Sequence, residues 1–359
     1  MDPLKEMFND TYFKKLVKNV SEVYLRVDKK KMYQDLIVGL PARSLNQRMR
    51  HTSMVLKKYL PDDYKSALQI LDDLIPKMDK GYTTLVFPDY VSLYGLDHLT
   101  LSMQALKNYT QYGSSEFAVR SFLKKDFEQT LHIMKAWSLD RDYHVRRLSS
   151  EGSRPRLPWS FKLDELIKDP SLTTPILNNL KSDKELYVRK SVANHLNDIS
   201  KENPEYMLSL VESWDQSHEH TAWIIKHASR TLVKKGNSAA LSMFGVKSEA
   251  WINVEDFQIT PSRIKLGGTI QFKCKIRSIS NNPQKILIDY IVHYVKKGGS
   301  HAPKVFKLKE FTLNKGEVVE ILKNQKIVDF STRVHCKGIH KIDVQVNGKI
   351  YSGGEFVLE

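Results

Sequence analysis

The chain has 359 residues, 41% hydrophobic and 27% charged, with 56 Lys and Arg against 41 Asp and Glu and a net charge of +15. That length suits two domains with real cores, not a disordered or collagen-like polymer. Two cysteines exclude a disulfide scaffold or multi-cysteine zinc fold, and no apolar run approaches the ~18–20 residues of a membrane span.

The opening Met1-Asp2-Pro3-Leu4-Lys5-Glu6 lacks the basic start and apolar core of a signal peptide. With so few cysteines, this predicts a reducing, cytoplasmic setting and free thiols. The basic excess points to a polyanionic partner; a merely soluble basic surface is the alternative.

In chain order, the first half reads as helices. Ser44 to Leu60 is one, with a basic outer face. Pro61-Asp62-Asp63 opens the next, followed by Ala67, Leu68, Ile70, Leu71 and Leu74 at helical spacing. A third runs through Leu99, Leu101, Met103 and Leu106. Farther on, Asp142-Tyr143-His144-Val145-Arg146-Arg147-Leu148 is echoed by Glu185-Leu186-Tyr187-Val188-Arg189-Lys190-Ser191, a shift of 43 residues. A weaker copy, Ile224-Ile225-Lys226-His227-Ala228, follows at a shift of 36. Helix pairs of HEAT type repeat every ~40–47 residues and stack into an α-solenoid. Arg146, Arg189 and Lys190 would then align as a basic stripe for duplex phosphates, unless they are simply solvated helix faces.

Beyond residue 250 the period changes to two. Thr269 to Ile276 and Ile342 to Val346 alternate, and Asn347-Gly348 after the latter is a hairpin turn. Lys285 to Tyr294 and Val318 to Val328 are further strands. About seven strands over about 110 residues fit an immunoglobulin-like β-sandwich. The expected organisation is thus an α-solenoid over residues 1–245 and a β-sandwich over 246–359. The second part carries 19 Lys and Arg against 11 Asp and Glu, which predicts that it too contacts the polyanion.

The most unusual stretch runs from Arg146 to Trp159. Asp142 reads as the N-cap of a helix and Gly152 as its left-handed C-cap. Glu151 then lies in the last turn, where the helix dipole disfavours a carboxylate, with Arg147 four residues back to offset it. Arg154 and Arg156 bracket Pro155, and Pro158 precedes Trp159, so the loop is stiff. Arginines suit phosphate forks; Trp159 offers a face to a sugar or base, or plugs the gap between repeats.

Arg146-Arg147-Leu148-Ser149-Ser150-Glu151-Gly152 through Arg154-Pro155-Arg156-Leu157-Pro158-Trp159 resembles the signature of the AlkC branch of the HEAT-like-repeat DNA alkylation-repair glycosylases. Ser115-Glu116-Phe117-Ala118-Val119-Arg120-Ser121-Phe122-Leu123 is similar to that family's second motif, and Tyr94-Gly95-Leu96 to a weaker third. The resemblance covers roughly residues 5 to 245. Some members carry a C-terminal immunoglobulin-like domain. It implies a monofunctional glycosylase that hydrolyses the N-glycosidic bond of cationic 3-methyladenine or 3-methylcytosine in double-stranded DNA, without base flipping and without a cofactor.

Such chemistry needs a carboxylate to stabilise oxocarbenium character and position water. Glu151 is the first candidate, Glu116 the second, and Asp198 the third. Asp198 lies one repeat on, a turn beyond Asn194, which aligns with Glu151. Trp159, Arg147, Arg154, Arg156, Arg146, Arg189 and Lys190 are the expected DNA contacts. His218-Glu219-His220 diverges on a helix and is read as structural, so no metal is expected. The resemblance implies a monomer in the bacterial cytoplasm, associated with the nucleoid and not with membrane. Two other readings stay open: a silent HEAT-repeat binder of distorted duplex, and a scaffold for an acidic protein partner.

Overall fold

Short polar side chains start the helices. In the computed structural model, which describes residues 3–330 and 333–359, Ser44 and Gln47 close a capping box on Leu45–Tyr59. Asp63 accepts from the Ser66 amide at 2.8 Å to start Tyr64–Leu74, and Asp142 accepts from the His144 amide at 2.8 Å to start Tyr143–Gly152. Met1 and Asp2, within the stretch read for a leader, lie outside the described residues. Among those described, no helix is long and apolar enough to cross a membrane.

Two compact units separate at Met1–Ala228 and Ser229–Glu359. In the first, Leu45–Tyr59, Val86–Tyr94, Glu116–Lys125, Tyr143–Gly152, Leu186–Ile199 and Glu219–Ala228 pack side by side as one row. Helices such as Tyr64–Leu74, Leu99–Tyr109 and Phe127–Trp137 back it. Each turns an apolar stripe inward: Leu68 and Leu71 from one, Leu148 from another, Val188, Val192 and Leu196 from a third. This is the α-solenoid of helix pairs.

The repeating triplet has a structural job. Arg146 donates to the carbonyls of Asp140 and Arg141 at 3.0 and 2.9 Å. Arg189 donates to those of Asp183 and Lys184 at 2.9 and 2.7 Å. Asp140 and Asp183 in turn take cations from the preceding repeat, Lys107 at 2.6 Å and Arg146 at 2.6 Å. The period therefore records how one repeat clamps the loop of the next. Arg146 and Arg189 are engaged with protein, while Lys190 is exposed.

Among the described residues the second unit is a β-sandwich of eight strands: β1 (Ile252–Thr260), β2 (Arg263–Ile264), β3 (Thr269–Ser278), β4 (Gln284–Val295), β5 (His301–Leu313), β6 (Val318–Lys326), β7 (Gly338–Val346) and β8 (Lys349–Leu358). One sheet has the order β1-β3-β6 and the other β2-β8-β7-β4-β5. Along β3, Ile270, Phe272, Cys274 and Ile276 point into the core while Lys273, Lys275 and Arg277 face water. Asn347 and Gly348 turn β7 into β8 with φ of 48° and 84°, the left-handed pair a tight hairpin needs. Both cysteines are free.

Residues 229–245, which the change of period assigns to the helical half, pack with the sandwich. Gln345 donates to the Lys234 carbonyl at 2.8 Å and Lys285 to that of Phe244 at 3.1 Å. Gly348 approaches Gly236 so closely that a Cβ on it would stand 2.0 Å from the Gly236 Cα. Because β4 is covered on both faces, Asp289 and Ile291 are as buried as Ile288 and Val292, and the strand reads as nearly continuous apolar sequence.

Candidate active site

The helix Tyr143–Gly152 ends at the site, and Gly152 shapes that end differently from a left-handed cap. It is the last helical residue; the cap is Ser153, with φ −91°, whose hydroxyl donates to the Ser149 carbonyl at 2.6 Å. Glycine is needed at 152 for proximity: a Cβ there would lie 2.5 Å from Val119 Cγ1. That contact brings Glu116–Lys125 against the helix end and sets Glu116 near Glu151.

The three candidate carboxylates form one charged cluster. Arg147 donates to Glu116 Oε2, and its other terminal nitrogen lies 3.6 Å from Glu151 Oε1. Arg154 Nη1 lies 2.6 Å from that same Glu151 oxygen, and Arg154 Nε and Nη2 both reach Asp198 Oδ2 at 2.8 Å. Lys201 takes the other Asp198 oxygen at 2.9 Å. Ser114 Oγ accepts from Arg147 at 3.0 Å and donates to Glu116 at 2.9 Å. Burial alone would lower both guanidinium pKa values. Glu151 and Glu116 outweigh it at Arg147, and Glu151 and Asp198 at Arg154, so both are raised.

Beneath the cluster lies Arg120, fully buried. It donates to the carbonyls of Gly152 at 3.0 Å, Arg154 at 2.7 Å and Phe161, so it ties both ends of the loop that carries Trp159. Burial, with the Arg154 charge beside it, pulls its pKa down to about 10. Arg120, Arg147, Arg154 and Lys201 against Glu116, Glu151 and Asp198 leave one positive charge in excess. His195 is also fully buried, and burial holds it down at about 4, against the pull of Asp198, so the ring is neutral. Its Nδ1 meets the Ser150 carbonyl at 2.9 Å; the carbonyl can only accept, so Nδ1 carries the proton and binds the Asp198 helix to the Glu151 helix.

Trp159 stands out in solvent, 76% exposed, and does not plug the gap between repeats. Its φ of 66° is a left-handed conformation that a bulky residue rarely adopts, the kind of strain that accumulates at functional sites. Arg156 pairs with Glu202, its Nε at 3.0 Å, and is half-buried. A cleft of about 880 Å³ opens on the N-terminal side, lined by Arg50, Tyr82, Ser114, Trp159 and Phe161 among others. Glu116, Glu151 and Asp198 do not line it. His218 accepts the His220 amide at 3.2 Å, a helix-start contact.

Five expected residues thus come together by ion pairs, Glu116, Arg147, Glu151, Arg154 and Asp198, while Trp159 stands exposed on the loop that Arg120 tethers. Arg146, Arg189 and Lys190 stand outside the cluster. The sequence reading missed Arg120, Lys201 and His195. Arg120 sat in a quoted motif, but nothing in one sequence distinguishes a guanidinium aimed at carbonyls from one aimed at solvent.

Comparison with known proteins identifies the relatives of both parts of the chain. Residues 104–232 match the family described as DNA alkylation repair enzyme, and residues 253–359 match the C-terminal Ig-like domain of the uncharacterised protein YhaZ. YhaZ of Bacillus subtilis (strain 168) is 42% identical over 357 residues, covering 99% of both chains. The structure of Pseudomonas fluorescens alkylpurine DNA glycosylase AlkC, bound to DNA containing an abasic site analogue, superposes with a TM-score of 0.96 at 45% identity, covering all of both chains.

Proposed function

The chain belongs to the AlkC branch of the DNA alkylation repair enzymes and is a DNA glycosylase; from that premise we propose that it removes cationic 3-methyladenine and 3-methylcytosine from duplex DNA with Glu151, Glu116 and Asp198 directed at the deoxyribose. The observation that carries the residue assignment is the shared pairing. Arg147 joins Glu116 to Glu151, and Arg154 joins Glu151 to Asp198, so the three acids are pre-set as a unit.

The chemistry fits such a unit. As the C1′–N bond breaks, the electron pair leaves with the base and cancels its positive charge, so no strong general acid is required. Positive charge builds on the sugar. A fixed carboxylate stabilises it more in the transition state than in the ground state. Water adds to C1′ and gives its proton to a carboxylate, leaving an abasic site and the free base. Trp159, exposed on a loop that Arg120 tethers, offers a face to the deoxyribose. The excess positive charge suits flanking phosphates. In this reading the carboxylates act on the sugar without the base entering a pocket. In this reading Arg154 is a positioning residue, since Glu151 and Asp198 occupy its guanidinium.

The test is single-turnover base release from duplexes carrying one defined lesion. Glu151→Gln and Glu116→Gln should keep the helices, because Gln and Glu have similar propensities, at a loss of stability where a buried guanidinium loses its charged partner, and the folded variants should bind DNA at least as well. Base release should fall about 10²-fold or more in each. A normal rate in both would sink the assignment. Duplex binding by the unaltered chain without any release would favour the silent binder.

A further inference from the structure

The repeat that aligns Arg146 with Arg189 also aligns ring side chains. His144, Tyr187 and Trp223 occupy corresponding positions in the three successive copies, one before each of Val145, Val188 and Ile224. In space, Tyr143 stacks on His144 with centroids 4.1 Å apart, and Tyr187 stands 6.4 Å from Tyr143 and 5.9 Å from His144. Trp223 stacks on His227 at 3.7 Å. Guanidiniums interleave with the rings: Arg147 lies 4.8 Å from the Tyr187 centroid and Arg189 lies 5.7 Å from that of Trp223.

We propose that this ladder, running from Tyr143 through Tyr187 to Trp223, is a track for one DNA strand flanking the lesion, gripped without regard to sequence. The inference rests on the glycosylase reading and extends it to residues outside the carboxylate cluster.

Three observations carry it. First, the ladder is continuous with the cluster, because Arg147 faces Tyr187 with its guanidinium and pairs Glu116 and Glu151 with its terminal nitrogens. Second, two of the rings are open to a partner: Tyr143 is 39% and Tyr187 40% exposed although both are large and apolar in body, and Trp223 is half-buried. Core residues of this size are buried elsewhere in the unit, as with the fully buried Tyr90 and Phe122. Third, ring and cation alternate from repeat to repeat. A nucleic-acid strand alternates in the same sense: sugars and bases present faces that rings can cover, and phosphates answer the cations. An acidic protein segment would meet the cations but leave the row of rings without a matching series of flat faces.

The full-length chain is titrated against a labelled duplex containing a tetrahydrofuran abasic analogue, over a series of salt concentrations. Tyr187→Leu and Trp223→Leu should each weaken binding about tenfold, whereas Tyr187→Phe and Trp223→Phe should stay within about twofold, because stacking needs the ring and not the hydroxyl or indole nitrogen. The log–log salt slope should not change in the Leu variants, since no charge is removed. Should a Leu variant fail to fold, Tyr143→Ser at the exposed end is read in the same titration and should show the same loss. Equal affinity for Leu and Phe variants, or a loss of affinity that comes with a shallower salt slope, overturns the track. The abasic duplex has no bond left to cleave, so the two readings fail separately. Ring-dependent binding without base release from lesion DNA sinks the glycosylase reading alone. Normal release with ring-independent binding sinks the track alone.

Discussion

In the helical unit Asp198 is 2% exposed and has Arg154 on one oxygen and Lys201 on the other. In the sandwich Asp289 is 6% exposed, yet among the described residues it has no ion pair, and Lys234 and Lys307 act on it only through space. Burial dominates there and pushes the Asp289 carboxyl up to about 6. Similar burial thus has two physical outcomes. Where cations are built around the acid, a negative charge is fixed in place, which an enzyme can aim at a developing cation. Where they are not, the acid is a cost that β4 carries for being covered on both faces.

Removing the cations from the first site would break that contrast. Arg154→Met leaves Glu151 and Asp198 buried without their shared guanidinium, and breaking such a cluster costs about 3–5 kcal/mol. The melting temperature of the helical unit should fall sharply and base release should be lost with it. Arg154→Lys, which keeps the charge but not the fork to both acids, should recover part of the stability and less of the rate. Differential scanning calorimetry with single-turnover release checks both; equal stability in the Met variant and the unaltered chain would refute the account of the cluster.

Arg120 sharpens the contrast from the opposite sign. It is a buried cation whose hydrogen bonds go to carbonyls and not to a carboxylate. Arg120→Met should therefore cost less, about 2–3 kcal/mol for the charged hydrogen bonds it removes. Its effect on rate should exceed that of a remote core substitution with the same stability loss, because the loop bearing Trp159 is released from the carboxylates. Misplacement by about 1 Å can cost as much as 10²-fold. A rate that merely tracks the folded fraction would show that the tether does not position anything.

The sequence exposed the features that repeat or alternate, and hid those that depend on what stands opposite. Helix starts at Asp63 and Asp142, the alternation of β3 and the Asn347-Gly348 turn are local, so they were readable. The shift of 43 residues was readable too, but its meaning was not: Arg146 and Arg189 recur because each clamps a loop, which only the Asp140 and Asp183 carbonyls reveal. Gly152 looked like a helix stop because glycine usually is one, whereas the decisive neighbour, Val119, lies 33 residues back in the chain. The candidate acids were legible mainly through a family resemblance. The arginines that join them could be named from sequence, but not their pairing across three helices. The boundary at 245 followed periodicity, and the short helices Arg230–Lys234 and Ser238–Ser242 before it gave no sign that they would pack on a sheet.

The smallest effect on base release is expected at the lone acid of the sandwich. In the unfolded chain Asp289 ionises near 3.8, and in the folded chain near 6. Below the first value both states hold the proton and the residue costs nothing. Between the two, the unfolded chain has released its proton and the folded chain has not, so stability falls as pH rises. Above about 6 the deficit is complete and constant. Asp289→Asn keeps the size but cannot ionise. The variant should match the unaltered protein near pH 3, gain through pH 4 to 6, and be more stable by about 3 kcal/mol at pH 8. Denaturant unfolding of the full chain, followed by a probe in the sandwich, measures the difference at each pH. A gain that is the same at pH 4 and pH 8 would mean that packing, and not the buried charge, separates Asp289 from Asp198.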